Sequence, residues 1–118
     1  YNNLGLTLTD LKRFDEAEAY YNNAIKVMSQ NKNGELEIAI TYLNLCDLYE
    51  AKLGSEKSEK IVDEYIEKAY ELLNREYLPR NGYYAFVCEK CAPTFGYFGR
   101  FIYEEELSDR AREIYERN

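Results

Sequence analysis

One spacing recurs along this chain and limits its fold to arrays of helix pairs. Tyr1-x-x-Leu4-Gly5-x-x-Leu8 returns as Tyr42-x-x-Leu45-Cys46-x-x-Tyr49, and again as Cys88-x-x-Cys91-Ala92-x-x-Phe95. Steps of three and four place these residues on one face of a helix. Each copy is followed by a second helical stretch with a small-residue signature: Ala17 to Ala24, Val62 to Ala69, and Glu104 to Ala111. A pattern repeated at this length marks supersecondary units that cannot bury their apolar faces alone and stack on their neighbours.

The breaks between the periodic stretches divide the chain into six helices. The first runs from Tyr1 to about Lys12. The second, Asp15 to about Gln30, carries Ala17, Tyr20, Tyr21, Ala24, Ile25 and Met28 at helical steps. Asn31-Lys32-Asn33-Gly34 ends it. The third covers Glu35 to about Leu53, closed by Gly54. Ser55 to Ser58 reads as a polar connection, with Ser58 placed to cap a fourth helix reaching Asn74. Glu76 to Gly82, with Pro79 and Asn81-Gly82, is a loop. The fifth helix spans Tyr83 to Phe98 and should be kinked or interrupted at Pro93, which lacks a backbone N–H. After Gly99 the sixth spans Phe101 to Arg117. No period-two alternation signals a strand. The expected fold is an all-α solenoid of three antiparallel helix pairs in a single domain, 1–118, with repeats at about 1–31, 35–75 and 83–117.

Composition narrows the function classes. Acidic residues outnumber basic ones by 22 to 15, giving a net charge of −7. The bases are interspersed with acids, as in Glu56-Lys57-Ser58-Glu59-Lys60, rather than clustered to meet phosphates, which argues against nucleic acid. Histidine is absent, which removes the usual general base and metal ligand. No apolar run approaches the ~20 residues of a membrane helix. Hydrophobic residues make up 46%, enough for a core without disulfides or cofactors. Three cysteines do not make a disulfide framework, and a reducing, cytoplasmic setting is expected. The chain opens on Tyr1, already inside the first repeat, so it is expected to be the C-terminal part of a longer array.

The repeated residues resemble the tetratricopeptide repeat, a helix-turn-helix unit with a period of about 34 residues. That family's first helix carries a large residue, then Leu-Gly, then an aromatic; its second carries Ala, an aromatic and another Ala. Here the first repeat offers Tyr1, Leu4, Gly5, Leu8, Ala17, Tyr21 and Ala24. The second offers Tyr42, Leu45, Cys46, Tyr49, Val62, Ile66 and Ala69, and the third Cys88, Cys91, Ala92, Phe95, Gly99, Phe101 and Ala111. The steps from Leu4 to Leu45 and from Leu45 to Cys91, 41 and 46 residues, are longer than the standard and look like the kinesin light chain variety. Gly5, Cys46 and Ala92 are small where the helices of a pair approach; Ala24, Ala69 and Ala111 are small where the next pair stacks. Glu104 and Ser108 replace apolar residues in the last helix, which is expected to be a cap.

The resemblance implies a non-enzymatic scaffold that grips a peptide in a concave face lined by the first helix of each repeat. Carried over, the lining is Asn2, Asn3, Leu6, Thr9 and Asp10, then Ile40, Leu43, Asn44, Asp47 and Glu50, then Phe86, Glu89, Lys90, Pro93 and Tyr97. Asn3 and Asn44 hold equivalent places, and an asparagine amide matches a peptide backbone. Asp10, Asp47, Glu50 and Glu89 would favour a basic or neutral ligand. The alternative is a regulatory or self-association module, with homo-oligomers through an open N-terminal face. Of the 13 tyrosines, Tyr1, Tyr21, Tyr42 and Tyr49 fall on packing positions. Tyr83, Tyr84, Tyr97 and Phe98 are expected to pack around Pro93, the other reading being an interface. Cys88-x-x-Cys91 falls on packing positions too, and neither a metal nor a cofactor is expected.

Overall fold

The computed structural model describes residues 2–30 and 34–117, the side chains of Asn2 and Asn3 excepted. Its elements are α1 (Asn2–Asp10), α2 (Phe14–Met28), α3 (Glu35–Leu53), α4 (Ser55–Leu73), α5 (Gly82–Tyr97) and α6 (Phe101–Arg117). No strand occurs among the described residues. The fold is all-α, its helices packed in adjacent pairs as in an α-solenoid. It falls into two compact units, Tyr1–Leu72 and Leu73–Asn118.

In the first unit α3 is the central helix. Leu36, Ile38, Ala39, Ile40, Thr41, Leu43, Leu45, Cys46, Leu48 and Tyr49 are all buried, and a helix apolar around most of its circumference must be covered on several sides. α1 and α2 pack on it from one direction. Leu8, Ala17, Tyr21, Leu45, Leu48 and Tyr49 form the shared core, each large side chain there contributing roughly 1.5–3 kcal/mol. α4 covers another side: the Tyr65 ring lies 5.3 Å from Tyr42 and stacks 6.0 Å from Tyr49. The Cys46 thiol donates to the Val62 carbonyl at 3.7 Å. Leu4, by contrast with its counterparts Leu45 and Cys91, is 52% exposed.

The connections explain where helices stop. Between α1 and α2, Lys12 takes a positive φ of 61°, and the Arg13 amide reaches back to the Leu8 carbonyl at 2.9 Å. Between α5 and α6, Gly99 takes φ 83° and the Arg100 amide reaches the Phe95 carbonyl at 2.8 Å. Both close the preceding helix with a six-residue loop about a left-handed residue. Leu8 and Phe95 are equivalent in the repeated motif, so the backbone carries the same register as the side chains.

Two expectations need correction. Ser55 to Ser58 is not a connection, and Ser58 is not a cap. Gly54, at φ 85°, separates α3 from α4 by itself; the Ser58 amide bonds the Gly54 carbonyl at 3.1 Å, and Ser58 is buried at 1% exposure inside α4. A single glycine free of Cβ strain reverses the chain, and nothing more is required. Of the two outcomes expected at Pro93, a kink or an interruption, the interruption does not occur, since α5 continues through it to Tyr97. Pro93 is exposed, so water can satisfy the carbonyl left without a donor, while Cys88, Cys91, Ala92 and Phe95 anchor the helix on its buried side.

In the second unit α6 presents one apolar stripe, Leu107, Ala111 and Ile114, to α5 and is charged elsewhere. Ser108 is exposed, while Glu104 is half-buried with its carboxylate in the space above Gly96. Tyr84 organises the loop before α5. Its hydroxyl donates to the Leu73 carbonyl at 2.6 Å and accepts from Arg110 at 2.9 Å.

Candidate functional site

In the first unit the residues expected to line a peptide groove divide by burial. α1 presents Leu6, 39% exposed, and Asp10, while Thr9 is half-buried and donates to the Gly5 carbonyl at 2.9 Å. The side chains of Asn2 and Asn3 lie outside the described residues. On α3, Asn44, Asp47 and Glu50 are each half-buried and one turn apart, so they form one ridge. Asn44 already has a partner within the chain, and Glu50 accepts from the Ser55 hydroxyl at 3.4 Å. Ile40 and Leu43 face inward at 9% and 3% exposure and belong to the core rather than to a surface.

The ridge is electrostatically loaded. Burial pushes the Asp47 carboxyl up to about 6, and the charge of Glu50 adds to the push. Beneath it, Tyr21 is fully buried. Burial pushes its phenol up to about 12, and the charges of Asp47 and Asp10 push in the same direction. The Tyr21 hydroxyl has no partner in hydrogen-bonding geometry; Thr9 lies near enough to favour ionisation of the phenol, but its own proton goes to Gly5. The charges of Asp10 on α1 and Asp47 on α3 thus both act on one buried phenol.

In the second unit α5 exposes Phe86, Glu89, Lys90, Pro93 and Tyr97 on the side away from Cys88, Cys91, Ala92 and Phe95. Tyr97 is 67% exposed and meets Phe98 edge-to-face at 4.9 Å. Of the four aromatics expected to pack around Pro93, only Tyr84 is fully buried; Tyr83 is 50% exposed. The cysteines are free and buried. Burial pushes the Cys88 thiol up to about 11 and the Cys91 thiol to about 12, which leaves neither as a thiolate near neutrality. Among the described residues no three of His, Cys, Asp and Glu come together as metal ligands, and no helix is long and apolar enough to cross a membrane.

The register did not announce two polar clusters. Tyr49 donates to Glu18, and Lys52 reaches Asp15 at 3.0 Å, joining α3 to α2. Arg80 and Arg110, thirty positions apart, meet around Tyr84. Only the tertiary fold brings either set together.

The Gly5–Tyr21 contact and the Lys12 turn define the first helix pair, and the family model of the tetratricopeptide repeat matches residues 1–31. Residues 1–31 are thus similar to a tetratricopeptide repeat. The repeat is typical of protein-interaction scaffolds that perform no catalysis. No curated protein and no solved structure matches the chain.

Proposed function

We propose that the chain binds a polypeptide segment across the α1–α3 face of its first unit and performs no chemistry. The observation that carries this reading is Asp47: a half-buried carboxylate, unfavourably ionised, with Glu50 one turn away on the same helix. A lysine or arginine from a bound segment would relieve that unfavourable charge, so the ligand class is a basic or neutral peptide. Asn44 supplies an amide able to meet a peptide backbone. Glu89, Lys90 and Tyr97 are the corresponding positions on α5, proposed as contacts of the second unit. We take α1–α2, α3–α4 and α5–α6 as three repeats of one array, about 1–31, 35–75 and 83–117; the shared turn at Lys12 and Gly99 supports this for the first and third. The free thiols fit a reducing, cytoplasmic setting.

The test is a selection of random peptides on the whole chain, repeated with Asn44→Ala. Enriched sequences should contain Lys or Arg. Asn44→Ala should weaken them by ~1 kcal/mol or more, with little change in melting temperature. No enrichment on a folded chain would overturn the reading. The alternative is self-association through an open N-terminal face, and light scattering at rising concentration separates the two.

A further inference from the structure

A cleft of about 550 Å³ opens in the second unit, lined by Arg80, Arg110, Glu113, Ile114, Glu116 and Arg117. A hollow of about 310 Å³ shares Arg80, Ile114 and Arg117 with it and reaches Asn81 and Gly82 at the start of α5. Among the described residues none of the three arginines has a carboxylate at ion-pair distance, whereas Arg13, Lys52, Lys68 and Arg112 all do. Acids outnumber bases by 22 to 15, so a shortage of carboxylates does not explain this.

Two of the guanidiniums are held by neutral groups. Arg110 donates to the Asn74 side-chain oxygen and to the Tyr84 hydroxyl, both at 2.9 Å. Arg80 lies over the Tyr84 ring at 4.3 Å and donates to the Leu73 carbonyl at 3.5 Å. Such contacts fix position without themselves supplying a negative charge. Burial and the charge of Arg110 lower the Arg80 pKa, with Glu76 opposing more weakly. Guanidiniums already ordered lose little entropy on meeting a ligand, and their planar donors match an oxyanion. Gly82 adds a first-turn amide that needs no intrahelical acceptor, and a Cβ there would meet nothing within 4 Å, so the backbone is open. Glu113 and Glu116 offset two of the three positive charges. A polyanion would meet them; a single oxyanion need not.

We propose that this cleft is a second binding site, separate from the α1–α3 face, taking one oxyanion between Arg80 and Arg110: a carboxylate or phosphate borne by a polypeptide side chain. The test is NMR titration of the whole chain at pH 7 with capped phosphoserine and, separately, capped glutamate, against sodium chloride at matched ionic strength. The expected result is saturable shifts of the Gly82 amide and the Arg80 and Arg110 Nε–H signals that chloride does not reproduce. Saturation by phosphoserine alone identifies phosphate as the group; saturation by glutamate as well identifies the carboxylate. Arg80→Gln should weaken binding about tenfold or more, one charge-assisted hydrogen-bond contribution. Should that variant not fold, Arg80→Lys, which keeps the charge and loses the fork, should still weaken it several-fold. Equal shifts in chloride, or unchanged affinity in the folded Arg80 variant, would overturn the proposal. No residue is shared with the Asn44 test, so the two can fail independently.

Discussion

At Gly5 a Cβ would fall within the Tyr21 ring, and the ring is fully buried, so it can give way only by displacing what packs on it. Alanine is the better helix former by ~1 kcal/mol, but overpacking a held aromatic costs ~1–3 kcal/mol. Gly5→Ala should therefore lower the melting temperature; an unchanged or higher melt would show that Tyr21 is not seated against Gly5. This contact was legible in the sequence, since the motif requires something small beside a large partner. The burial of Asp47 was not. Its folded pKa of about 6 lies above the ordinary 3.8, so the fold favours the protonated acid. That stabilising contribution is fully present below about pH 4 and is lost as the pH rises through about 6. Asp47→Asn should flatten the decline in stability between those values and raise the melting temperature at pH 7. Identical pH profiles for both proteins would mean that Asp47 does not titrate in that window.

Among the elements, α3 and α6 begin and end where apolar periodicity and the glycines place them, at Glu35–Leu53 and Phe101–Arg117. The start of α4 differs because local polarity at Ser55 to Ser58 resembles a loop, while the deciding event is one glycine at φ 85°. At Pro93 the helix is not broken, because propensity counts a lost hydrogen bond but not the four buried residues that hold α5 around it. Helix starts also differ in kind. The Asn81 side chain accepts from the Tyr84 amide at 3.0 Å, whereas α2 and α3 begin with no side-chain cap. Asn81→Ala should cost ~1 kcal/mol, with Asn81→Asp recovering most of it, measured by chemical denaturation. Equal stability for all three would remove the cap from the account of α5.

Over the whole molecule the net charge of −7 sets how a ligand arrives. A basic peptide should associate faster at low salt, and its affinity should fall as sodium chloride rises from ~50 to ~500 mM, because the Debye length shrinks. A neutral peptide held through Asn44 should change little. If basic and neutral peptides respond alike, the acidic face is not steering association.

The helical class, the pairing of helices and the placing of small residues at close contacts were set by periodicity, because burying an apolar stripe at three- and four-residue steps requires a partner at a definite face. The buried cysteines followed from the same register. What packing alone decided was depth and long-range company. Leu43 and Asp47 stand four positions apart on one helix, yet one enters the core and the other remains a strained carboxylate at its edge. Arg80 and Arg110 became neighbours only when a loop and α6 closed on Tyr84. A spacing rule describes one helix at a time, whereas burial and charge pairing are sums over every element that surrounds it.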